Sequence, residues 1–181
     1  MNRSSHLRGL LEAHTPADAT EAQHLQSMMD LLAQHGDVMA RTHYKPGHFT
    51  ASAFVLSPDH TDLLMIFHGK LHRWLQPGGH IDPSDVDIEH ASRREVMEET
   101  GAGQLELWQP GILDVDVHVI PPLKGAPAHS HFDVRFAFVS TSRDILAGDD
   151  AAAAQWVPLN RVSEMQTDES VLRAVGRLIR G

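Results

Sequence analysis

The chain has 181 residues, 41% of them hydrophobic, no cysteine, and a formal charge of −9 when its fourteen histidines are neutral. That length suits one domain with a buried core, and the apolar content argues against a disordered chain. The missing cysteine excludes disulfides, thiolate zinc sites and a cysteine nucleophile, and the acidic balance argues against coating a nucleic-acid polymer.

A small phosphorylated ligand remains compatible with that charge if a divalent cation supplies the positive field. The N-terminal segment lacks a long apolar stretch and a small-residue cleavage site, and runs such as Leu63–Phe67 are too short to span a bilayer. A cytoplasmic protein with no membrane partner is the expectation. The histidines are scattered along the chain rather than grouped as a tag.

Residues 4–35 read as helical. Leu7, Leu10 and Leu11 form one apolar stripe, and after the break at 15–18, Leu25, Met28, Met29, Leu31 and Leu32 form a second. Thr20 and Gln23 fit a capping box, and Gly36 fits the stop. Residues 1–40 are therefore expected to form a helical extension, packed on a domain spanning 41–181 or on the second subunit of a homodimer. From residue 48 the period changes. HFTASAFVLS and DLLMIFH are β-rich and joined by a turn, and RWLQPGGHI reads as a short strand entering a glycine turn. A helix is predicted over about 86–99, ending at Gly101. Residues 111–120 alternate like a half-buried strand. Residues 131–140 alternate strictly, with Phe132, Val134, Phe136 and Phe138 on one face and His131, Asp133 and Arg135 on the other. AGDDAAAAQWVPL reads as a loop entering a short strand, and a last amphipathic helix is predicted over about 168–180. Strands in the middle with helices among and around them predict an α/β or α+β sandwich in one domain.

Glu95, Glu98 and Glu99 are related by i+3 and i+4 and share one helix face. Exposed like charges at that spacing cost on the order of a few tenths of a kcal/mol per pair. They also lie at the helix C-terminus, the unfavourable end of the dipole for an anion. A solvated acidic face is the ordinary reading of such a run. Here the two penalties coincide beside a glycine turn, and a hard cation such as Mg²⁺ or Mn²⁺ would remove both.

The segment GGHIDPSDVDIEHASRREVMEETGA resembles the Nudix box, Gly-x5-Glu-x7-Arg-Glu-U-x-Glu-Glu-x-Gly-U, where U is bulky and aliphatic. Gly79, Arg94, Glu95, Val96, Glu98, Glu99 and Gly101 match, and Ala102 stands at the last U position. HFTASAFVL, KLHRWLQPGGHID, LDVDVHVIP, HSHFDVRFAFV and WVPL extend the likeness over roughly residues 48–160, toward a bacterial branch of the superfamily. The resemblance implies an α/β/α sandwich with a mixed central sheet. It also implies Mg²⁺- or Mn²⁺-dependent hydrolysis of a nucleoside diphosphate linked to another group X, such as a nucleoside triphosphate or a nucleotide sugar. Glu95, Glu98 and Glu99 would hold the metal, with Arg94 pairing with a box carboxylate and orienting it. Gly79 would shape the turn and His80 would follow it near the metal. The spacing departs from the pattern in one respect: fourteen residues separate Gly79 from Arg94, where the pattern has thirteen. Counting from Gly79 puts Asp85 at the first glutamate position, with Asp82 and Asp87 as substitutes; counting back from Arg94 puts Val86 there.

Other residues carry weaker signals. His129, His131 and Asp133, with His118 on a neighbouring strand, suit a transition metal, a ribose or phosphate contact, or simply a solvated strand face. Arg135 suits a phosphate or Asp133. Asp149 and Asp150 precede Trp156 in a loop, where the resemblance allows a further ligand or general base. Trp74 and Trp156 are expected in the core or at its rim. Two other functions fit the sequence less well. An isoprenoid-diphosphate isomerase would need the cysteine this chain lacks, and a non-catalytic ligand-binding or regulatory module would not need the three glutamates.

Overall fold

The central strands lie side by side because two long apolar-alternating segments pair along their whole length. These are β1 (Gly47–Leu56) and β7 (His129–Ser140), which run parallel in register from Gly47 beside Ser130 to Leu56 beside Val139. The structure is a computed structural model that describes residues 2–69, 71–122, 125–148 and 151–180. The other edge of β1 pairs with β2 (Asp62–His68) at Leu56, and with β4 (Gly78–His80) at Thr50–Ser52, both antiparallel. The other edge of β7 is shared between β6 (Asp114–Ile120), opposite 129–135, and β5 (Leu105–Leu107), opposite 138–140. β2 continues the sheet to β3 (Arg73–Leu75) and β8 (Ala151–Pro158). Among the described residues one mixed sheet of eight strands results.

Side-chain alternation splits the core into two layers. Phe49, Ala51, Ala53 and Val55 of β1 join Phe132, Val134, Phe136 and Phe138 of β7 beneath α3 (Ile88–Thr100), which contributes Ile88, Ala91 and Val96. The N-terminal helices α1 (Arg3–Ala13) and α2 (Ala19–Leu32) add Leu7, Leu11, Met28 and Leu31 to the same layer. Phe54, Leu56, Leu63 and Met65 face the opposite way, against Val171, Ala174, Val175 and Leu178 of α4 (Glu169–Arg180). This is a mixed-sheet α/β sandwich, and Phe132, Val134, Phe136 and Phe138 of β7 face as their alternation predicts.

The departures from the predicted elements have local causes. α2 is capped by Asp18, whose carboxylate accepts from the Glu21 N–H, not by Thr20. It ends at Leu32, before Gly36, which adopts φ +105° further along the chain. Residues 151–158, within the segment read as a loop entering a short strand, all form β8 because β2 supplies a partner along its length. Gly78–His80, read as a turn, forms a short strand on β1. The predicted stop at Gly101 holds: it caps α3 in the left-handed region at φ +69°.

The N-terminal helices are tied to the sheet by charge as well as by apolar packing. Glu21 is fully buried and accepts two hydrogen bonds from Arg177 of α4 at 2.8 and 2.9 Å. His14 and the Ala17 N–H also bond its carboxylate. Burial alone would raise the carboxyl's pKa, but these partners outweigh it and hold it below the ordinary glutamate value.

Candidate active site

β4 and α3 meet at the glycine turn, and the contact leaves no room for side chains there. A Cβ on Gly79 would lie 2.7 Å from the Glu95 carboxylate, and one on Gly78 would lie 2.3 Å from the Ser52 Cβ. The Gly78 N–H donates to Glu99 Oε2 at 2.9 Å. Gly78 is required by its close approach to β1, and the glycine pair brings backbone against the box glutamates.

Arg94 organises the acidic face. Its Nη1 donates to Glu95 Oε1 at 3.0 Å and to Glu98 Oε2 at 2.9 Å, and its Nη2 donates to the His80 carbonyl at 2.8 Å. Asp85 accepts from its Nε and Nη2 at 3.1 and 2.9 Å, and Asp82 pairs with Nε at 3.9 Å. Asp85 is buried, whereas Val86 beside it is 69% exposed. Asp85 also accepts from the Asp82 N–H at 2.7 Å and bonds His90 Nδ1 at 2.9 Å. Burial pushes its carboxyl upward, but Arg94, the Asp82 N–H and His90 outweigh burial and leave it below the ordinary value. Glu95 goes the other way: burial raises it in spite of Arg94. Asp87 instead caps α3 through the His90 N–H.

Glu98 and Glu99 sit at the C-terminal turn of α3, whose last carbonyls take partners from beyond the helix. The Gly148 N–H donates to the Glu99 carbonyl at 2.8 Å and the Leu146 N–H to the Thr100 carbonyl at 2.9 Å. A Cβ on Gly148 would lie 1.9 Å from the Glu98 carbonyl oxygen, so this backbone approach also needs glycine. The loop closes the helix end without covering Glu98, whose side chain is 56% exposed. Asp149 and Asp150 lie outside the described residues.

Three carboxylates of this kind suit Mg²⁺ or Mn²⁺. Their disposition is open. Among the described residues the three glutamates do not bring their oxygens within 4.8 Å of one another, whereas His48, His80 and His131 do so with their ring nitrogens.

The β7 face departs from the expected solvated surface. Arg135 is fully buried and committed inside the protein. It bonds Asp133 at 2.9 Å, Asp114 at 3.1 Å and the Ser170 carbonyl at 3.2 Å, so it is not available to a phosphate. Asp133 is buried too and accepts from Thr50 and Ser52 on β1. His129 is nearly buried, and its Nδ1 bonds the Pro127 carbonyl at 2.8 Å. His118 is half-exposed and bonds Asp116 at 3.1 Å. His48, missed in the sequence, joins His131 because residue 48 pairs with residue 131 in the parallel register. The signal was present in the alternation of HFTASAF, which puts residue 48 on the face of Thr50 and Ser52. Trp74 and Trp156 are partly buried at the edges of the two core layers, as expected.

Residues 46–175 match the NUDIX domain. The chain belongs to the NUDIX family. A comparison with curated proteins finds no match. Among solved structures, a NUDIX-family hydrolase from Clostridium perfringens is 23% identical with a TM-score of 0.56, covering 74% of this chain and 97% of its own. The NUDIX domain of Shewanella oneidensis NrtR, complexed with ADP ribose, is 17% identical with a TM-score of 0.57, covering 84% and 96%. A C. elegans Ap4A hydrolase in a binary complex is 17% identical with a TM-score of 0.55, covering 73% and 95%. At these identities the likeness is one of fold. No helix among the described residues is long and apolar enough to cross a membrane.

Proposed function

We propose that this NUDIX protein is a divalent-cation-dependent hydrolase that cleaves the phosphoanhydride bond of a nucleoside diphosphate linked to a second group. Glu95, Glu98 and Glu99 are its metal ligands and Arg94 their positioning residue. One observation carries the reading: backbone at Gly78 and Gly79 lies directly against Glu99 and Glu95, so the glycine turn and the box glutamates form one site. The neighbours bound to or named for ADP ribose and Ap4A support a nucleotide as the substrate class.

When bound, Mg²⁺ or Mn²⁺ supplies charge neutralisation for the diphosphate and a more acidic water. The chain's own residues prepare that site. Asp85 and the His80 carbonyl hold the Arg94 guanidinium, which in turn fixes Glu95 and Glu98. The Gly78 N–H fixes Glu99. The raised pKa of Glu95 marks a buried carboxylate that Arg94 does not fully compensate, and a cation would complete the compensation. Domain limits follow the same reading: residues 41–181 form the hydrolase domain and residues 1–40 an extension that stiffens its sheet.

The test is a hydrolysis panel of nucleoside triphosphates, dinucleoside polyphosphates, ADP-ribose and nucleotide sugars with Mg²⁺ or Mn²⁺, with products identified by mass. Cleavage between phosphates, abolished by EDTA, is expected for at least one class. Absence of cleavage across the panel would reject the reading in favour of a ligand-binding module.

A further inference from the structure

We infer that His48, His80 and His131 form a second metal site, selective for Zn²⁺ and related nitrogen-preferring ions, separate from the carboxylates of the NUDIX box. The three histidines come from three adjacent strands. In the β1–β7 register His48 lies beside His131, and in the β1–β4 pairing His80 lies opposite Thr50, two residues from His48 on the same face. Their ring centroids are 4.8 to 5.2 Å apart, and one ring nitrogen from each lies within 4.8 Å of the others.

The hydrogen bonding around the trio favours a ligand over a packed aromatic cluster. His48 is fully buried, and its Nδ1 faces the His43 carbonyl at 3.2 Å. An Nδ1–H donor there leaves a lone pair on Nε2, and Nε2 is buried with no hydrogen-bond partner. That is the arrangement found when imidazole ligates through one nitrogen while a backbone carbonyl fixes the other. An unsatisfied buried acceptor is costly, and an apolar residue at the same place would not incur that cost. The rings of His80 and His131 make no hydrogen bond among the described residues, and both are partly accessible, so an ion can reach them.

Donor chemistry separates this site from the box. Neutral imidazoles suit Zn²⁺, Co²⁺, Ni²⁺ and Cu²⁺, whereas carboxylates suit Mg²⁺ and Mn²⁺. Burial, then the neighbouring histidines, lowers His80 to about 4 and His131 to about 2, so both rings are neutral at physiological pH. Three histidines leave a fourth position open to water or to a ligand oxygen. With Zn–N bonds of about 2.0–2.1 Å, tetrahedral ligands lie roughly 3.3 Å apart, so small ring rotations would complete the site. The two sites also lie on opposite sides of β4. Residue 79 faces Glu95, while the His80 ring meets His48 and His131.

The probe is Co²⁺, titrated into untagged, metal-stripped protein with millimolar Mg²⁺ present, and followed by visible absorption. One equivalent should bind with an absorption spectrum of low coordination number that Zn²⁺ displaces, and Zn²⁺ should raise Tm. His80→Ala and His131→Asn should each weaken binding at least a hundredfold and lose the Zn²⁺-dependent rise in Tm, while their metal-free melts certify folding. Loss in either folded variant is sufficient support. Glu99→Gln should retain the signal, as should a His35→Ala/His60→Ala control that removes two exposed histidines. No bound Co²⁺ in the presence of Mg²⁺ would overturn the inference, as would unchanged binding in both trio variants or loss of the signal in Glu99→Gln. Hydrolysis is not the readout, so the site stands or falls independently of the box.

Discussion

Two arginines in this protein are each surrounded by acidic side chains, and they serve opposite ends. Arg135 lies between the sheet and α4, with Asp114, Asp116 and Asp133 around it. Arg173 of α4 joins Asp114 and Asp116 from the other side, so two guanidinium groups face three carboxylates, all but one of the five buried. Arg94 lies at the box helix with Asp82, Asp85, Glu95 and Glu98 around it and Glu99 beside them, one guanidinium against five described carboxylates at a partly open surface. The first cluster nearly balances its own charge and satisfies its donors internally, as a buried network must. The second holds surplus negative charge where a cation can reach it. Charge balance and access, rather than the number of charged residues, distinguish a scaffold from a site.

The comparison breaks most visibly at Arg135. Arg135→Met leaves Asp114 and Asp116 to Arg173 and Asp133 without a cationic partner, and a loss of about 3–5 kcal/mol in chemical denaturation is expected. Activity per folded molecule should survive. Next, Glu99→Gln should reduce turnover on a substrate found by the hydrolysis panel at least a hundredfold, equivalent to about 2.7 kcal/mol or more, with Tm unchanged or higher. Near-wild-type turnover would remove Glu99 from the site. Asp85→Asn is expected to lower turnover about ten- to a hundredfold by loosening Arg94, the range typical of groups that orient metal ligands. An unchanged rate would mean that the His80 carbonyl alone holds the guanidinium.

A smaller effect separates the buried pairs by pH. Glu21 has its folded pKa held below the ordinary 4.5, so its stabilisation is present above that value and disappears as pH falls through it toward the folded value. Glu21→Gln should cost about 1–2 kcal/mol at neutral pH. It should also lose stability less steeply than wild type below about pH 4.5, as read from urea melts at a series of pH values. Parallel curves would assign the acid sensitivity elsewhere. The smallest expected effect is on stability at Glu98. Its pair with Arg94 is exposed, so Glu98→Gln should change unfolding free energy by no more than about 0.5 kcal/mol while lowering turnover.

Much of the site was legible before any tertiary structure. Glu95, Glu98 and Glu99 share a helix face by spacing alone, Gly101 marks the helix end, and the alternation of Phe132 to Phe138 names the core face of β7. These are local consequences of the 3.6 and 2.0 residue periods. The extra residue before Arg94 left two counts open, and neither count could show that Asp85 would be buried against the guanidinium. The face of Asp133 and Arg135 read as polar, but polarity along one strand cannot reveal that α4 closes over it with Ser170 and Arg173. Nor could the sequence bring His48, 32 residues before His80 and 83 before His131, into one cluster, since strand register is set by long-range pairing. What the sequence by itself determined was which residues repeat on each face of each element. Which faces meet, and therefore which charges are balanced and which histidines converge, was decided by the sheet and the helices packed on it.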